Sequence, residues 1–433
     1  MNENNWISRW SNEQIQAMLL EQYNTFWQQP LGIPRLQLKT MEKFIPLPHS
    51  VIISGLRRVG KSTLLAQLAH KLGKDTFYYI NFEDERFIGF TVEDTNDLYQ
   101  ALVELFGERK NFILDEIQNI PGWERFVRRF TDMGFKFYLS GSNASLLSRE
   151  LGTRLTGRYL SIELFPFSFV EYLQFIREEI PAFSQVTTVE RARINSHLFS
   201  YLKKGGIPDA LKYPELGIPR SLYHDILYRD IAARYKLDAV TALKELSFFL
   251  ISNPTGMVSF NKLKTRLQLG SVNTVSSYIE YLENSWLIFT LNRFAFSVKR
   301  QQVSPKKIYV IDAGFVNEVG FSFSANTGKL LENLVFITLR RQNPEIFYYV
   351  SENGCEIDFY LPGKHQLIQV AQQIDYESTR EREIRAIMDA AKEIDVRSAI
   401  ILCDKNEPPK EYGQLNIQIK AVTDWLVQQD ISL

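Results

Sequence analysis

From about residue 46 the chain alternates short apolar runs with segments of helical periodicity. VIIS (51–54) precedes a helix expected over 61–73, FYYINF (77–82) one near 93–107, and NFILDE (111–116) one around 121–133. FKFYLSG (135–141) is followed by a short polar helix, and YLSIEL (159–164) leads into FSFVEYLQF. Apolar runs of strand length separated by helix-length crossovers predict a parallel α/β sheet, since a tight turn cannot join parallel neighbours.

Either side of this block the pattern changes. Residues 1–45 hold an expected helix (NEQIQAMLLEQYNTFW) and a Pro-punctuated linker. Residues 186–250 show helical periodicity without clear strands and read as a helical lid or linker. Residues 251–305 read as a short helix, a turn at Gly270, a second helix and apolar extended segments, the pattern of a helix-turn-helix followed by a wing. From 306 to 433 the expectation is a separate α+β domain opening with KIYVID. It continues through a helix at LLENLVFITLRR, strands FYYV, EIDFYL and LIQV, a charged helix (TREREIRAIMDAAKEI) and AIILC, which closes it. The expected fold class is therefore α/β multi-domain, with 46–185 as the parallel-sheet core.

Composition adds bounds. Lys plus Arg and Asp plus Glu are 50 each, so the balanced charge argues against polyanion binding by the whole chain but leaves local basic patches open. Cys355 and Cys403 are far apart and form no CxxC pair, which speaks against a disulfide framework or a zinc site and for a reducing cytoplasm. The N-terminal MNENNWISRW is not expected to be a signal peptide. The most apolar stretch, SWLIFTLNRFAF, is shorter than the ~18 residues of a membrane span, so the expectation is a soluble, cytoplasmic protein.

The chemistry concentrates in one place. GLRRVGKS, Gly55 to Ser62, fits GxxxxGK[ST], follows an apolar strand and opens an amphipathic helix (TLLAQLAHKL). Such a loop aims backbone N–H groups at phosphate oxygens. The expected nucleotide contacts are Gly55, Leu56, Arg57, Arg58, Val59, Gly60, Lys61, Ser62 and Thr63, with Lys61 facing the β and γ phosphates. Ser62 and Asp115 are the expected Mg²⁺ ligands, and Glu116 beside Asp115 is placed to orient or deprotonate the attacking water. Ser142 or Asn143 is a candidate polar contact to the γ-phosphate, although either also suits ordinary helix capping. Arg154 and Arg158 are candidates for transition-state charge, in cis or towards a neighbouring subunit. The implied ligands are ATP and Mg²⁺.

SGLRRVGKSTLL, ILDEIQNIPGWE and YLSGSNASLLSRE…LTGRYLSIELFPFSFVEYL together resemble a branch of prokaryotic AAA+ ATPases close to the origin-recognition and STAND types, the AAA family fourteen type. The likeness continues through YLKKGGIPDAL, RDIAARY and KIYVIDAGF. It implies an ATPase core joined to a winged helix and a C-terminal domain of unknown function with a restriction-endonuclease-like fold.

A nuclease of that fold needs a helix acid, a strand Asp and an ExK on the next strand. Glu332 and Asp358 stand in that order, but Gln369 replaces the glutamate and Ala371 the lysine. Glu356 is expected on the opposite face of its strand from Asp358, so the domain reads as an inactive nuclease fold. In the winged-helix segment the candidate recognition helix, VNTVSSYIEYLEN, carries Glu280 and Glu283 and no Lys or Arg. DNA contact would then rest on Lys262, Lys264 and Arg266, with Arg293, Lys299 and Arg300 around the wing. Two functional readings follow: an ATP-hydrolysing switch or small motor acting on a partner such as DNA or a protein, with homo-oligomers open, and a nucleotide-regulated scaffold with little turnover. A P-loop small-molecule kinase fits less well, because the rest of the chain shows no acceptor site.

Overall fold

The structure, a computed structural model, describes residues 11–144, 157–180, 186–237, 240–321, 326–343, 345–374, 377–413 and 415–431. The chain divides into two compact units, Met1–Leu164 and Phe165–Leu433. The five segments expected from the sequence are a finer division than this.

The first unit begins with α1 (Asn12–Gln28), started by a capping box between Ser11 and Gln14. Its apolar stripe, Ile15, Met18, Leu19, Tyr23 and Phe26, is buried. After α2 (Gln37–Phe44) come β1 (Ser50–Ser54), α3 (Lys61–Leu72), β2 (Phe77–Asn81), α4 (Thr95–Phe106), β3 (Asn111–Asp115), α5 (Trp123–Asp132), β4 (Lys136–Gly141) and β5 (Tyr159–Glu163). The strands form one parallel sheet in the order β2-β3-β4-β1-β5. β1 is buried at every position, as a strand covered on both faces requires. Phe112 and Phe137 stack on neighbouring strands at 4.9 Å between ring centres and belong to the core that α1, α4 and α5 cover. The parallel α/β sheet expected from the apolar runs is present.

The second unit opens with helices: α6 (Phe169–Phe175), α7 (Thr188–Lys204), α8 (Pro208–Lys212), α9 (Ile218–Asp225), a π-helical stretch Ile226–Ala232 and α10 (Thr241–Ser252). Next are β6 (Met257–Val258), α11 (Phe260–Arg266), α12 (Val272–Asn284), β7 (Ile288–Leu291), α13 (Val298–Val303) and β8 (Lys306–Val310). β8 pairs antiparallel with both β6 and β7 in a three-stranded sheet. The sequence reading made KIYVID the opening strand of the last domain. The pairing ties it to the preceding strands β6 and β7. Residues 298–303, where Lys299 and Arg300 are expected around the wing, form a helix.

The remainder comprises α14 (Ala313–Glu318), α15 (Thr327–Arg340), β9 (Phe347–Val350), β10 (Glu356–Leu361), β11 (Gln366–Val370), α16 (Glu377–Glu393), β12 (Ser398–Cys403), β13 (Glu407–Tyr412), β14 (Leu415–Ala421) and α17 (Val422–Ile431). Its strands form a mixed six-stranded sheet, order β13-β14-β12-β11-β10-β9. AIILC therefore does not close the fold, because two strands and a helix follow it. β13 carries Pro408 and Pro409 and sits on the edge, where a missing N–H is tolerated.

One buried acid gives the second unit a pH dependence. Asp430 of α17 accepts the Val170 N–H of α6 at 3.2 Å. Burial pushes its carboxyl up to about 6, against the pull of Arg341, Ser168 and Val170, with Glu171 adding to the rise. Between about pH 4 and 6 the folded form holds a proton that the unfolded chain has released, so this residue's contribution to stability falls as pH rises through that window. Asp430→Asn is therefore expected to gain on wild type by roughly 2–3 kcal/mol between pH 4 and pH 7.5, read from denaturant midpoints. A constant difference across that range would contradict the assignment.

Candidate nucleotide site

Two features of the local sequence shape the loop between β1 and α3. Gly55 follows β1 where the end of β5 passes close by. A Cβ there would stand 2.2 Å from the Leu164 carbonyl oxygen. Gly60, with φ +94°, takes the left-handed conformation that ends the loop and becomes the N-cap of α3. No side chain caps that helix, so its first N–H groups remain available to an anion.

Lys61 is the first residue of α3 and is 5% exposed. Its Nζ donates to the carbonyls of Gly55 (3.2 Å) and Leu56 (3.3 Å) and lies 3.4 Å from Glu116 Oε1. Asp115 ends β3, and Glu116 follows it with φ 51°. That left-handed backbone, unusual for a non-glycine residue, turns the Glu116 carboxylate towards Lys61; the Glu116 N–H donates to Ser140 Oγ at 3.2 Å. Gln118 Nε2 donates to Glu116 Oε2 at 2.5 Å. Asp115 accepts hydrogen bonds from the hydroxyls of Ser140 and Ser62.

The two acids titrate in opposite directions. Burial, then the neighbouring Glu116 charge, raises Asp115, while Ser140, Ser62 and Lys61 pull it back. Burial also pushes Glu116 up, but Lys61, Gln118 and Arg57 outweigh it and hold that carboxyl below its ordinary value. Glu116 is thus kept ionised. A cleft of about 410 Å³ opens beside Ser62 and Asp115, walled by Gln22 and Phe26 of α1 and by Tyr79, Asn81 and Arg86.

These residues fit a Mg²⁺-nucleotide: an uncapped helix start behind a glycine-hinged loop, a buried ammonium, and a hydroxyl hydrogen-bonded to a carboxylate. The Leu56 and Val59 side chains are buried within the loop. Arg57 pairs with Glu83 at 3.0 Å, and Arg58 is exposed with φ 62°. Thr63 is half-buried in the first turn of α3. Asn143 is buried just beyond β4, and its carbonyl accepts from Ser54 Oγ at 3.0 Å. This anchors it between β3 and β1, with Ser142 3.5 Å from Gln118 Nε2.

Arg158 is elsewhere. It immediately precedes β5, and its carbonyl accepts from Ser50 N–H at the start of β1. The P-loop leaves the other end of β1, a five-residue strand spanning roughly 16 Å. The Arg158 side chain, 55% exposed, pairs with Asp132. A role in cis is therefore corrected: this arginine does not reach its own chain's phosphate site. Arg154 lies outside the described residues. The sequence reading missed Arg35, which is buried in the linker and donates Nη1 to the Val59 carbonyl at 2.5 Å, and Gln67 of α3, which holds the linker through Leu31 and Ile33. Only the Pro-punctuated context of LGIPRLQ hinted at an ordered strap, and nothing pointed it at the loop.

In the second unit the expected nuclease-type acids do converge, but on a lysine. Lys307 Nζ of β8 lies 2.5 Å from Glu356 Oε1, 2.8 Å from Glu332 Oε1 and 3.0 Å from Asp358 Oδ1. The expectation that Glu356 and Asp358 face opposite ways is wrong, because residues two apart on a strand share a face. Gln369 Oε1 accepts the Asp358 N–H at 3.1 Å while its Nε2 donates to Glu383 at 2.9 Å, and Ala371 is buried. Among the described residues no three His, Cys, Asp or Glu side chains are arranged to hold a metal ion.

The candidate DNA surface also changes. Glu283 is half-buried and accepts the Thr290 N–H at 2.9 Å and its hydroxyl at 2.7 Å, so its carboxylate is engaged within the fold. Arg293 donates to the Val350 carbonyl at 2.7 Å and leaves the basic set. Arg266 lies over the Phe249 ring at 4.4 Å. Lys262, Lys299 and Arg300 are exposed, and Lys264 is half-buried.

Residues 48–173 match the model of a family described as an AAA domain. Two domains of unknown function, DUF8612 and DUF4143, match residues 195–326 and 327–422. The chain is 36% identical over 363 residues to uncharacterized protein MJ1544 of Methanocaldococcus jannaschii, covering 80% of each chain. It is 29% identical to an uncharacterized protein of Haemophilus influenzae, covering 87% of this chain and 94% of that one. Among solved structures, AMPPCP-bound DnaA from Aquifex aeolicus is similar over 58% of this chain and 89% of its own (14% identity, TM-score 0.26). Cdc6p from Pyrobaculum aerophilum is similar over 68% and 96% (14% identity, TM-score 0.27).

Proposed function

This chain belongs to the family of AAA-domain proteins that includes MJ1544 of Methanocaldococcus jannaschii, and we propose that it hydrolyses ATP at Lys61, Asp115 and Glu116. The observation that carries this reading is the buried Lys61–Glu116 pair beside Asp115, at the carboxyl edge of a parallel sheet where such folds bind ligands.

The loop amides and Lys61 hold the β and γ phosphates of the substrate. Ser62 and Asp115 would hold Mg²⁺, which screens phosphate charge when bound. In the resting arrangement Lys61 is shared between loop carbonyls and Glu116. A γ-phosphate draws the ammonium away and leaves Glu116 ionised and free to take a proton from the attacking water. Ser142 or Asn143 orients the phosphate. The test is equilibrium binding of ATP with Mg²⁺. Lys61→Ala is expected to weaken it about 10- to 100-fold, the loss of one or two charge-assisted hydrogen bonds. Equal affinity would sink the assignment.

Arg158, remote from its own site and exposed, supports a role across a subunit boundary. Mixing Lys61→Ala with Arg158→Ala is then expected to restore part of the turnover that each lacks alone, and no recovery at any ratio would remove that role. The order α10, β6, α11, α12, β7, β8 supports a winged-helix module, with 306–433 less β8 as the last domain. Nucleotide state would reposition these parts for a partner. If the partner is DNA, charge reversal at Lys299 and Arg300 is expected to flatten the salt dependence of binding by roughly one to two units of slope, and an unchanged slope excludes this surface.

A further inference from the structure

The linker between α1 and α2 is strapped onto α3. Residues 29–36 form neither helix nor strand, so their backbone carbonyls need partners from elsewhere. Gln67, buried on α3, supplies them: Nε2 donates to the Leu31 and Ile33 carbonyls at 2.7 and 2.6 Å, and Oε1 accepts the Arg35 N–H at 3.1 Å. Trp27, near the end of α1, meets His70 of α3 at 4.6 Å between ring centres. One side-chain amide therefore orders the strap, and the strap delivers Arg35 to the phosphate loop.

The Arg35 residue is 3% exposed, and its Nη1 donates to the Val59 carbonyl at 2.5 Å. A Cβ added to Gly60 would stand 3.3 Å from that same nitrogen, so the guanidinium lies against the last turn of the loop. The Val59–Gly60 peptide is trans, and the C=O and N–H of a planar trans peptide point in opposite directions. Holding the carbonyl on the strap side aims the Gly60 N–H the other way. Glycine at φ +94° has no side chain to fix that peptide, so its orientation depends on such a contact. A charged donor on a buried carbonyl makes one of the stronger hydrogen bonds available for the purpose.

We propose that Arg35 is a positioning residue that aims the Gly60 N–H at bound phosphate, and that Gln67 acts through it by holding the strap. This rests on the ATP reading above and deepens it. The aimed contact is to phosphate rather than to the base, and it is made alike before and during hydrolysis. It therefore sets affinity and leaves the chemical step largely alone.

Equilibrium binding of ATP and of inorganic tripolyphosphate to the full chain, each with Mg²⁺, tests this beside the single-turnover rate at saturating ATP. Arg35→Met and Gln67→Met are each expected to weaken both ligands about 10-fold, the loss of one charge-assisted hydrogen bond. The rate should stay within ~3-fold of wild type. The double variant should bind no more weakly than Arg35→Met, and Arg35→Lys, which keeps a charged donor, should recover most of the loss. Wild-type affinity in a folded Arg35→Met overturns the proposal. A loss confined to ATP also overturns it, because the strap would then serve the nucleoside. Losses that multiply to about 100-fold in the double variant would show that Gln67 acts independently, against the proposal. If Arg35→Met does not fold, Gln67→Met decides: the same loss for both ligands is expected, and unchanged affinity overturns the proposal. Wild type that binds neither ligand would sink the ATP reading itself, whereas variants that bind as well as a competent wild type sink only the role of the strap.

Discussion

Glu116→Gln is expected to bind ATP and Mg²⁺ at least as tightly as wild type while its steady-state turnover falls about 10²- to 10⁴-fold, the range for removing a general base. Three features argue for so clean a separation. The substitution keeps side-chain size, so the left-handed backbone at 116 and the N–H bond to Ser140 Oγ persist. The charge that disappears is the one holding Lys61 in the resting pair, so the ammonium becomes more available to phosphate. And Asp115, with its Ser62 and Ser140 partners, is untouched. Phosphate release and ATP titration on the same preparation check both halves. Turnover within a factor of two of wild type would favour the scaffold reading, in which nucleotide is bound but scarcely consumed.

Gly55→Ala is expected to destabilise the first unit by about 3 kcal/mol, from overpacking plus a lost buried hydrogen bond. The added Cβ would sit 2.2 Å from the Leu164 oxygen and 3.1 Å from its carbonyl carbon. These are backbone atoms, so no side-chain rotation relieves them. Leu164 N–H donates to Ser54 O at 2.7 Å, which ties the end of β5 to the end of β1 at this point. Making room must lengthen that bond and shift the start of the phosphate loop. Nucleotide affinity should fall together with the denaturation midpoint. A variant with wild-type midpoint and affinity would show that the β1–β5 junction yields without cost.

The strands β1 to β4 were legible because each is an apolar run largely buried on both faces, and GLRRVGKS and ILDE mark their own places at strand ends. What the sequence left hidden is what depends on distance across the fold. Arg158 was a candidate for transition-state charge by residue type alone, and parallel pairing with β1 puts it at the far end of the sheet. Lys307 is not legible as a partner of Glu332, Glu356 and Asp358 because it comes from β8, before them in the chain, and no sequence periodicity links them. A strand period of two puts Glu356 on the same face as Asp358, contrary to the expectation that they face opposite ways. β13 carries no strand signal in the sequence, since its two prolines suit only an edge strand, which is where it lies.

Arg35 shows the same limit on a smaller scale. A lone arginine between prolines carries no pattern, and its place against Val59 O comes from Gln67 gathering the linker onto α3.

Single-turnover hydrolysis with protein in excess over γ-labelled ATP tests most directly whether the Lys61–Asp115–Glu116 site cleaves ATP. Wild type is expected to release phosphate stoichiometric with bound ATP in Mg²⁺ and none in EDTA. Bound ATP that remains intact in Mg²⁺ would contradict the account.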